Sequence, residues 1–294
     1  MDEQKWLAER FEENRSHLRA VAYRMLGSLS EAEDAVQEAW LRLSRTDTSD
    51  VQNLGGWLTT VVARVCLDVL RSRKSRREEA LDPQVSEPVA KREGARDPEQ
   101  EALLADSVGL ALLVVLDRLS PAERLAFVLH DLFAVSFDEI ASITGRTAAG
   151  ARQLASRARR RVQGKPSVPE ADLVNHRRVV DAFLAALRAG DVEGLVAVLD
   201  PEVVIHVDKH SAASGKDAEV RGARNWAKQA VTYARGAKFA QTALVDGEVG
   251  VILAPRGKLF RALEVKIVHG KIARIDVVGD PTRLRELELA VLEA

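Results

Sequence analysis

One cysteine, Cys66, stands alone in 294 residues. No internal disulfide can form, which excludes a disulfide-stapled secreted scaffold. No uninterrupted apolar stretch approaches the roughly 20 residues needed to cross a bilayer. The first ten residues, Met1–Arg10, contain no apolar core of signal-peptide type. Neither sign of charge is in excess, with 43 Lys plus Arg against 44 Asp plus Glu. That balance excludes a generally polycationic nucleic-acid coat and an acidic disordered tail. A soluble, cytoplasmic protein without a membrane partner is expected. At 46% apolar, the chain has material for two or three cores.

The charges are unevenly placed. Residues 78–100 carry seven acidic and three basic side chains with three prolines, whereas residues 144–165 carry seven basic side chains and no acidic one. Residues 166–294 are balanced at 18 against 18. The map that follows has a helical domain at 1–77, an acidic linker at 78–100, a second helical domain at 101–165 and a different domain at 166–294.

In the first domain, Leu18, Val21, Ala22, Met25 and Leu26 form one helical stripe that Gly27 stops. Ser30 and Glu33 are spaced as a capping box for a helix Glu31–Leu43. That helix should bury Ala35, Val36, Ala39 and Leu43 and expose Asp34, Gln37, Glu38 and Arg42. A polar loop, Ser44–Asn53, leads to a helix from about Gly55, on which Trp57, Val61, Val65 and Val69 recur every fourth residue. It ends in the cationic run Arg71–Arg77. In the second domain the apolar run Val108–Leu116 reads as a helix. Ser120-Pro-Ala-Glu123 then combines a cap, a proline at the first helical position and a reciprocating glutamate. Ser136 with Glu139 opens a short helix that Gly145 ends, and Thr147 caps a last helix running to about Val162.

From residue 166 the pattern changes. Leu173–Ala189 is amphipathic through Val180, Phe183, Leu184 and Leu187, and Asp191 caps a shorter helix. Strands are expected at Val203–Val207, Phe239–Val245, Val249–Leu253, Leu259–Val268 and Ile272–Val278, with hairpin turns at Asp246-Gly247 and His269-Gly270. A helix at about Ala223–Ala234 intervenes. Helices followed by an antiparallel sheet make an α+β domain.

Phe137–Val162 has the form of a helix-turn-helix. Ala151, Ala155, Ala158 and Val162 face inward, Leu154 falls near the outer face, and Arg152, Gln153, Ser156, Arg157 and Arg160 face outward. Arg and Gln are the side chains able to bond bidentately to guanine and adenine edges. Arg159, Arg161 and Lys165 suit phosphate oxygens. A solvated basic helix is the alternative. On the helix after the polar loop, a tryptophan beside cations could hold unpaired bases.

The block Glu33-Asp-Ala-Val-Gln-Glu-Ala-Trp-Leu-Arg42 and the helix Gly56-Trp-Leu-Thr-Thr-Val-Val-Ala-Arg64 resemble region two of bacterial extracytoplasmic-function sigma factors. Leu119-Ser-Pro-Ala-Glu-Arg-Leu-Ala-Phe-Val-Leu129 and the segment from Ser136 to Arg159 resemble region four. The resemblance implies that Asp34, Gln37 and Glu38 dock on core RNA polymerase, whose beta-prime and beta subunits are the implied partners. It implies that the loop ending at Asn53, with Trp57, Arg64, Asp68 and Arg71, serves the −10 element of promoter DNA. Thr147, Arg152, Gln153, Ser156, Arg157 and Arg160 are the implied readers of the −35 element.

Residues 166–294 resemble the SnoaL-like, cone-shaped α+β domain of the nuclear-transport-factor-two superfamily. Ser214-Gly-Lys-Asp-Ala-Glu-Val-Arg-Gly222 is similar to its glycine-rich segment and Gly279-Asp-Pro-Thr-Arg-Leu284 to its tail motif. The family's linker motif, tryptophan-leucine-proline, is absent, and only Glu87-Pro88 remains. The resemblance implies a fused regulator that contacts the helical domains or the linker, with a small ligand as a candidate occupant. His206 and Asp208 alternate onto one face of the first strand, followed by His210, and Asp276 lies on the last strand. These four are the candidate pocket residues, against the plainer reading of a polar strand edge. No catalytic set and no cofactor are expected, and the His206–His210 spacing is poor for zinc. Two other readings stay open. One is a repressor or activator that binds DNA without polymerase; the other is a small-molecule enzyme with a DNA-binding appendage.

Overall fold

A computed structural model describes residues 2–46, 51, 53–79, 109–212, 214–234 and 236–292. The acidic segment 80–100, Glu87-Pro88 included, and residues 47–50 and 52 of the Ser44–Asn53 loop lie outside the described residues, as does the Val108 end of the apolar run. The described residues pack as two units, one within 1–104 and 116–159, the other within 105–115 and 160–294.

In the first unit, α1 (Asp2–Leu26), α2 (Leu29–Leu43) and α3 (Leu54–Glu79) share a core of Leu18, Val21, Met25, Ala35, Val36, Leu58, Val62 and Cys66. Gly27 ends α1 at φ +71°. The cap of α2 is Ser28, whose Oγ accepts from Glu31 N, so the Ser30–Glu33 box expected from spacing does not form. Once glycine has turned the chain, Ser28 is the residue left in extended conformation, and Ser30 already lies inside the first turn, its Oγ 3.0 Å from Ser28 Oγ. On α3 the inward face is Leu58, Val62, Cys66 and Leu70, while Val65 and Val69 are half-buried at its border. Three further helices follow α4 (Leu110–Asp117): α5 (Pro121–Phe127), α6 (Phe137–Thr144) and α7 (Ala148–Gln163), with a π-helical turn at Val128–Leu132 after α5. Capping boxes form at Ser120–Glu123 and at Ser136–Glu139.

The second unit is built on a seven-stranded sheet. Its elements are α8 (Glu170–Ala189), α9 (Val192–Val198), β1 (Leu199–Val207), β2 (Ala218–Arg221), α10 (Ala223–Ala230), β3 (Ala240–Val245), β4 (Glu248–Leu253), β5 (Arg261–Val268), β6 (Lys271–Val278), α11 (Pro281–Glu286) and β7 (Leu289–Ala290). The strand order is β2-β1-β6-β5-β4-β3-β7. The sheet is mixed rather than wholly antiparallel, because β6 pairs with β1 in parallel. The four-stranded meander β3–β6 starts after the α10 crossover and brings its last strand back beside β1 in the same direction. Both expected hairpin turns have positive φ at each central residue: Asp246 +50° and Gly247 +82°, His269 +50° and Gly270 +73°. That is the backbone a two-residue type I′ turn requires.

The core of this unit lies between α8, α10 and one sheet face, where Phe183 stacks on Trp226 at 5.6 Å over Val203, Ile205, Val251, Val265 and Ile275. On the opposite face Gln241, Ile252 and Ala262 form a cross-strand row. The start of α4 is held to that row, with Ala111 N donating to Gln241 Oε1 at 2.8 Å. The end of α7 is held to the residue that follows β7 in the same unit, Val291 N donating to Val162 O at 2.8 Å.

Candidate nucleic-acid and polymerase interfaces

Helix α2 buries Ala32, Ala35, Val36, Ala39 and Leu43, which turns Asp34 and Gln37 to solvent. Glu38 is paired to Arg42 at 2.8 Å, and among the described residues Asp34 and Gln37 have no protein partner. Asp34 and Gln37 border a groove of about 310 Å3 between α1 and α2, floored by Phe11 and Trp40 with ring centroids 5.1 Å apart. Arg15 spans Glu12 at 2.7 Å and Glu33 at 3.7 Å on the groove's other wall. Its hydrogen bond to Glu12, then that carboxylate's field and Glu33, hold its guanidinium above the ordinary range. Sequence reasoning found the polar rim and missed Phe11 and Trp40. In a chain with 4% aromatic residues, two aromatics meeting at a helix surface were the available signal.

Asn53 is placed as the cap of α3, its Oδ1 accepting from Gly56 N at 2.9 Å. Trp57, Arg64, Asp68 and Arg71 fall at i, i+7, i+11 and i+14, one stripe of α3, half-buried at Trp57 and exposed thereafter. Asp68 and Arg71 are 3.9 Å apart and open to solvent, a weak pair.

The helix-turn-helix forms as its caps dictate. Ser136 Oγ accepts from Glu139 N, and Glu139 Oε2 accepts from Ser136 N at 3.1 Å. Gly145 takes the left-handed C-cap at φ +69°, and Thr147 Oγ1 accepts from Gly150 N at 3.1 Å. On α7, Ala151, Ala155, Ala158 and Val162 are buried, while Arg152, Gln153, Ser156, Arg157 and Arg160 are exposed on the polar face. Leu154 is 5% exposed and belongs to the core, correcting its expected place near the outer face. Leu154 follows Ala151 at i+3, which widens the apolar stripe to the ordinary breadth of a packed helix. Arg159 is bound to Asp131 through Nε at 2.8 Å, so this cation is held by a carboxylate rather than left open.

The four pocket candidates of the sheet fall into two groups, His206 with Asp276, and Asp208 with His210 through Asp280. Period-two alternation puts His206 on the face opposite Val203 and Ile205. There His206 Nδ1 stands 3.7 Å from Asp276 Oδ1, its register partner on β6, and Arg274 grips Asp276 at 2.7 and 2.6 Å. Asp208 lies just past β1, accepting from Gly279 N at 2.6 Å, Asp280 N at 2.7 Å and Ser211 N at 2.8 Å. Burial alone would raise its carboxyl, but these N–H groups outweigh it and hold Asp208 below the usual carboxylate range. It ties two strand ends together. His210 Nδ1 pairs with Asp280 Oδ2 at 3.3 Å. A hollow of about 710 Å3 lies between the first half of α8 and the β5–β6 turn and is lined by Asp172, His176, Val179 and His269. Among the described residues no cluster of His, Cys, Asp or Glu could hold a metal ion, and no helix is long and apolar enough to cross a membrane.

Residues 10–76 match the family sigma-70 region 2 and residues 109–162 match sigma-70, region 4, so the two helical parts are those of a sigma factor. Along 286 residues the sequence is 40% identical to the ECF RNA polymerase sigma factor SigJ of Mycobacterium tuberculosis, covering 93% of this chain and 91% of that one. It is 36% identical to a probable ECF RNA polymerase sigma factor, SigI, of the same species, covering 93% of each. The crystal structure of M. tuberculosis SigJ aligns with a TM-score of 0.44 at 32% identity, over 94% of this chain and 98% of that one. The chain belongs to the extracytoplasmic-function sigma factors, which bind core RNA polymerase and initiate transcription at promoters and are not enzymes. Its C-terminal part is an α+β domain built on the seven-stranded sheet.

Proposed function

We propose that this sigma factor docks on the beta-prime subunit of core polymerase, with beta as a further contact, through Asp34, Gln37 and Glu38. It works in the cytoplasm as four segments, 1–77, 78–100, 101–165 and 166–294. The α3 stripe of Trp57, Arg64, Asp68 and Arg71, together with the loop ending at Asn53, serves the −10 element. The exposed face of α7, with Thr147 at its start, reads the −35 element. The observation that carries the α2 assignment is the unpartnered Asp34 and Gln37 beside an aromatic-floored groove, a surface built for a partner helix rather than for water.

The SnoaL-like domain modulates activity by contact. Support comes from two hydrogen bonds, Ala111 N to Gln241 Oε1 and Val291 N to Val162 O, which tie both ends of the region-four match to β3 and to the residue that follows β7. A small ligand of that domain would have its room in the hollow beside His176 and His269.

Binding of the purified chain to sigma-free core polymerase tests the docking face. The wild type should bind, and a variant with Ala at 34, 37 and 38 should bind at least tenfold more weakly; equal binding by the two sinks the assignment. Deleting residues 166–294 should change promoter-dependent transcription or its selectivity. Unchanged activity and selectivity would remove the regulatory role.

A further inference from the structure

The −35 helix has a support that lies outside it. The guanidinium carbon of Arg152 sits 5.2 Å from the centroid of the Phe137 ring. Phe137 is itself stacked on His130, centroids 3.9 Å apart and planes 29° apart. His130 Nδ1 lies 3.0 Å from Val135 O, and since a carbonyl only accepts, Nδ1 carries the hydrogen. Val135 N in turn donates to Leu129 O at 2.9 Å, closing the chain around the π-helical turn. Phe137 directly follows Ser136, whose reciprocal bonds with Glu139 fix the start of α6. The order of support therefore runs from the π-turn to His130, to Phe137, to Arg152.

An aromatic face restrains a guanidinium without using any of its N–H groups. Among the described residues, Arg152 makes no hydrogen bond, so its donors stay available to an outside acceptor. Arg157, by contrast, donates Nε to Gln153 O at 3.4 Å, and Arg159 is bound to Asp131. Arg152 also sits in the first half of α7, the part of a recognition helix that reaches base edges. An exposed arginine samples many rotamers, and narrowing them beforehand strengthens a bidentate bond by cutting the ordering loss on binding.

We propose that Phe137 is a positioning residue for −35 recognition. It holds the Arg152 guanidinium ready for the O6 and N7 acceptors of a guanine, and His130 backs the ring. The inference rests on the assignment of α7 to the −35 element.

The test uses holoenzyme made from the full chain and core polymerase, transcribing a duplex library randomised across the upstream element. Arg152→Ala should lower the guanine preference at one position by about tenfold. Phe137→Leu, which keeps an apolar side chain and loses the ring, should lower the preference at that same position about threefold. Phe137→Tyr should restore it, and Phe137→Leu should add nothing in the Arg152→Ala background. Thermal midpoint and core affinity, measured in parallel, separate a folding loss from a loss of readout. A preference that Arg152→Ala erases and Phe137→Leu leaves intact overturns the inference. So does an equal loss at every position with Tyr no better than Leu, since the ring would then only pack. If Arg152→Ala changes no position, the assignment of α7 at that residue fails first and the inference falls with it.

Discussion

The guanidinium of Arg124 donates to the main-chain carbonyl of Arg24 twice, from Nε at 3.1 Å and from Nη2 at 3.0 Å, a hundred residues away in sequence. Arg24 lies in the last turn of α1, where carbonyls have no partner within the helix. Arg124 is 2% exposed and reaches Asp117 Oδ1 at 3.4 Å with Nη1. Burial pulls its pKa down to about 10, with Asp117 resisting, so it remains charged at neutral pH. A second guanidinium, Arg73, donates to Leu26 O at 3.3 Å and pairs with Glu31. Two cations from different helices thus close the negative end of α1.

Replacing Arg124 with Ala should cost about 2–3 kcal/mol, because the Arg24 carbonyl oxygen loses a charged donor that meets it twice. Arg124→Lys should recover less than half of that, since one ammonium cannot form the fork and also meet Asp117. Urea denaturation reads both values. A lysine variant as stable as wild type would show that charge alone, not fork geometry, holds the site.

Gly145 and Gly250 separate backbone strain from lack of space. At Gly145 φ is +69° and a Cβ would meet nothing within 4 Å, so Gly145→Ala should cost about 1 kcal/mol from the left-handed backbone. At Gly250 φ is ordinary, but a Cβ would stand 2.5 Å from Leu263 O and 2.8 Å from Val245 Cγ2. Gly250→Ala should cost about 3 kcal/mol, the upper range for overpacking. Asn at 145 should be milder than Ala, whereas no residue at 250 should be. Thermal denaturation of the four proteins gives the ranking, and an inverted order refutes it.

That contrast also marks what a sequence can reveal. The caps at Ser120, Ser136, Thr147 and Asp191 and the turns at Asp246-Gly247 and His269-Gly270 were legible because each depends on residues within four positions of one another. Gly145 belonged to that group. Ser28 was hidden by Ser30, two hydroxyls with equal claim until the glycine turn decided between them. The parallel pairing of β6 with β1, the short strands β2 and β7, and the burial of Arg124 depend on partners 11 to 100 residues distant. The same holds for function. Polar faces of α2 and α7 followed from helical period, whereas the ion pairs of His206 with Asp276 and of His210 with Asp280 each join residues 70 apart in sequence, which alternation along one strand does not reveal.

The Ala111–Gln241 hydrogen bond predicts a local effect. Gln241→Leu keeps the side chain's bulk and removes the acceptor for one of the free N–H groups at the start of α4. Amide exchange over residues 109–115 should accelerate by about tenfold, equivalent to about 1.4 kcal/mol. Residues 183–187, in the core on the opposite sheet face, should exchange as in wild type. Acceleration across both segments would mean that the substitution loosens the whole sheet, and no acceleration would mean that the apolar contacts of Leu113 hold the helix alone.

Cys66 supplies a test by pH. It is fully buried, and desolvation pushes its thiol up to about 12, while the nearby Arg124 and Arg73 oppose that shift only in part. The folded state therefore keeps the thiol proton at a pH where the unfolded chain, ionising near its ordinary value of 9.0, has released it. A raised folded pKa means a contribution that is fully present below about pH 9 and lost as pH rises toward 12. Wild type should lose stability relative to Cys66→Ala by up to about 1.4 kcal/mol for each pH unit above 9. At pH 8 the native thiol should resist iodoacetamide and react promptly once urea unfolds the chain. Alkylation of the native protein at the rate of a free thiol, or parallel pH profiles for the two proteins, would place Cys66 in contact with water.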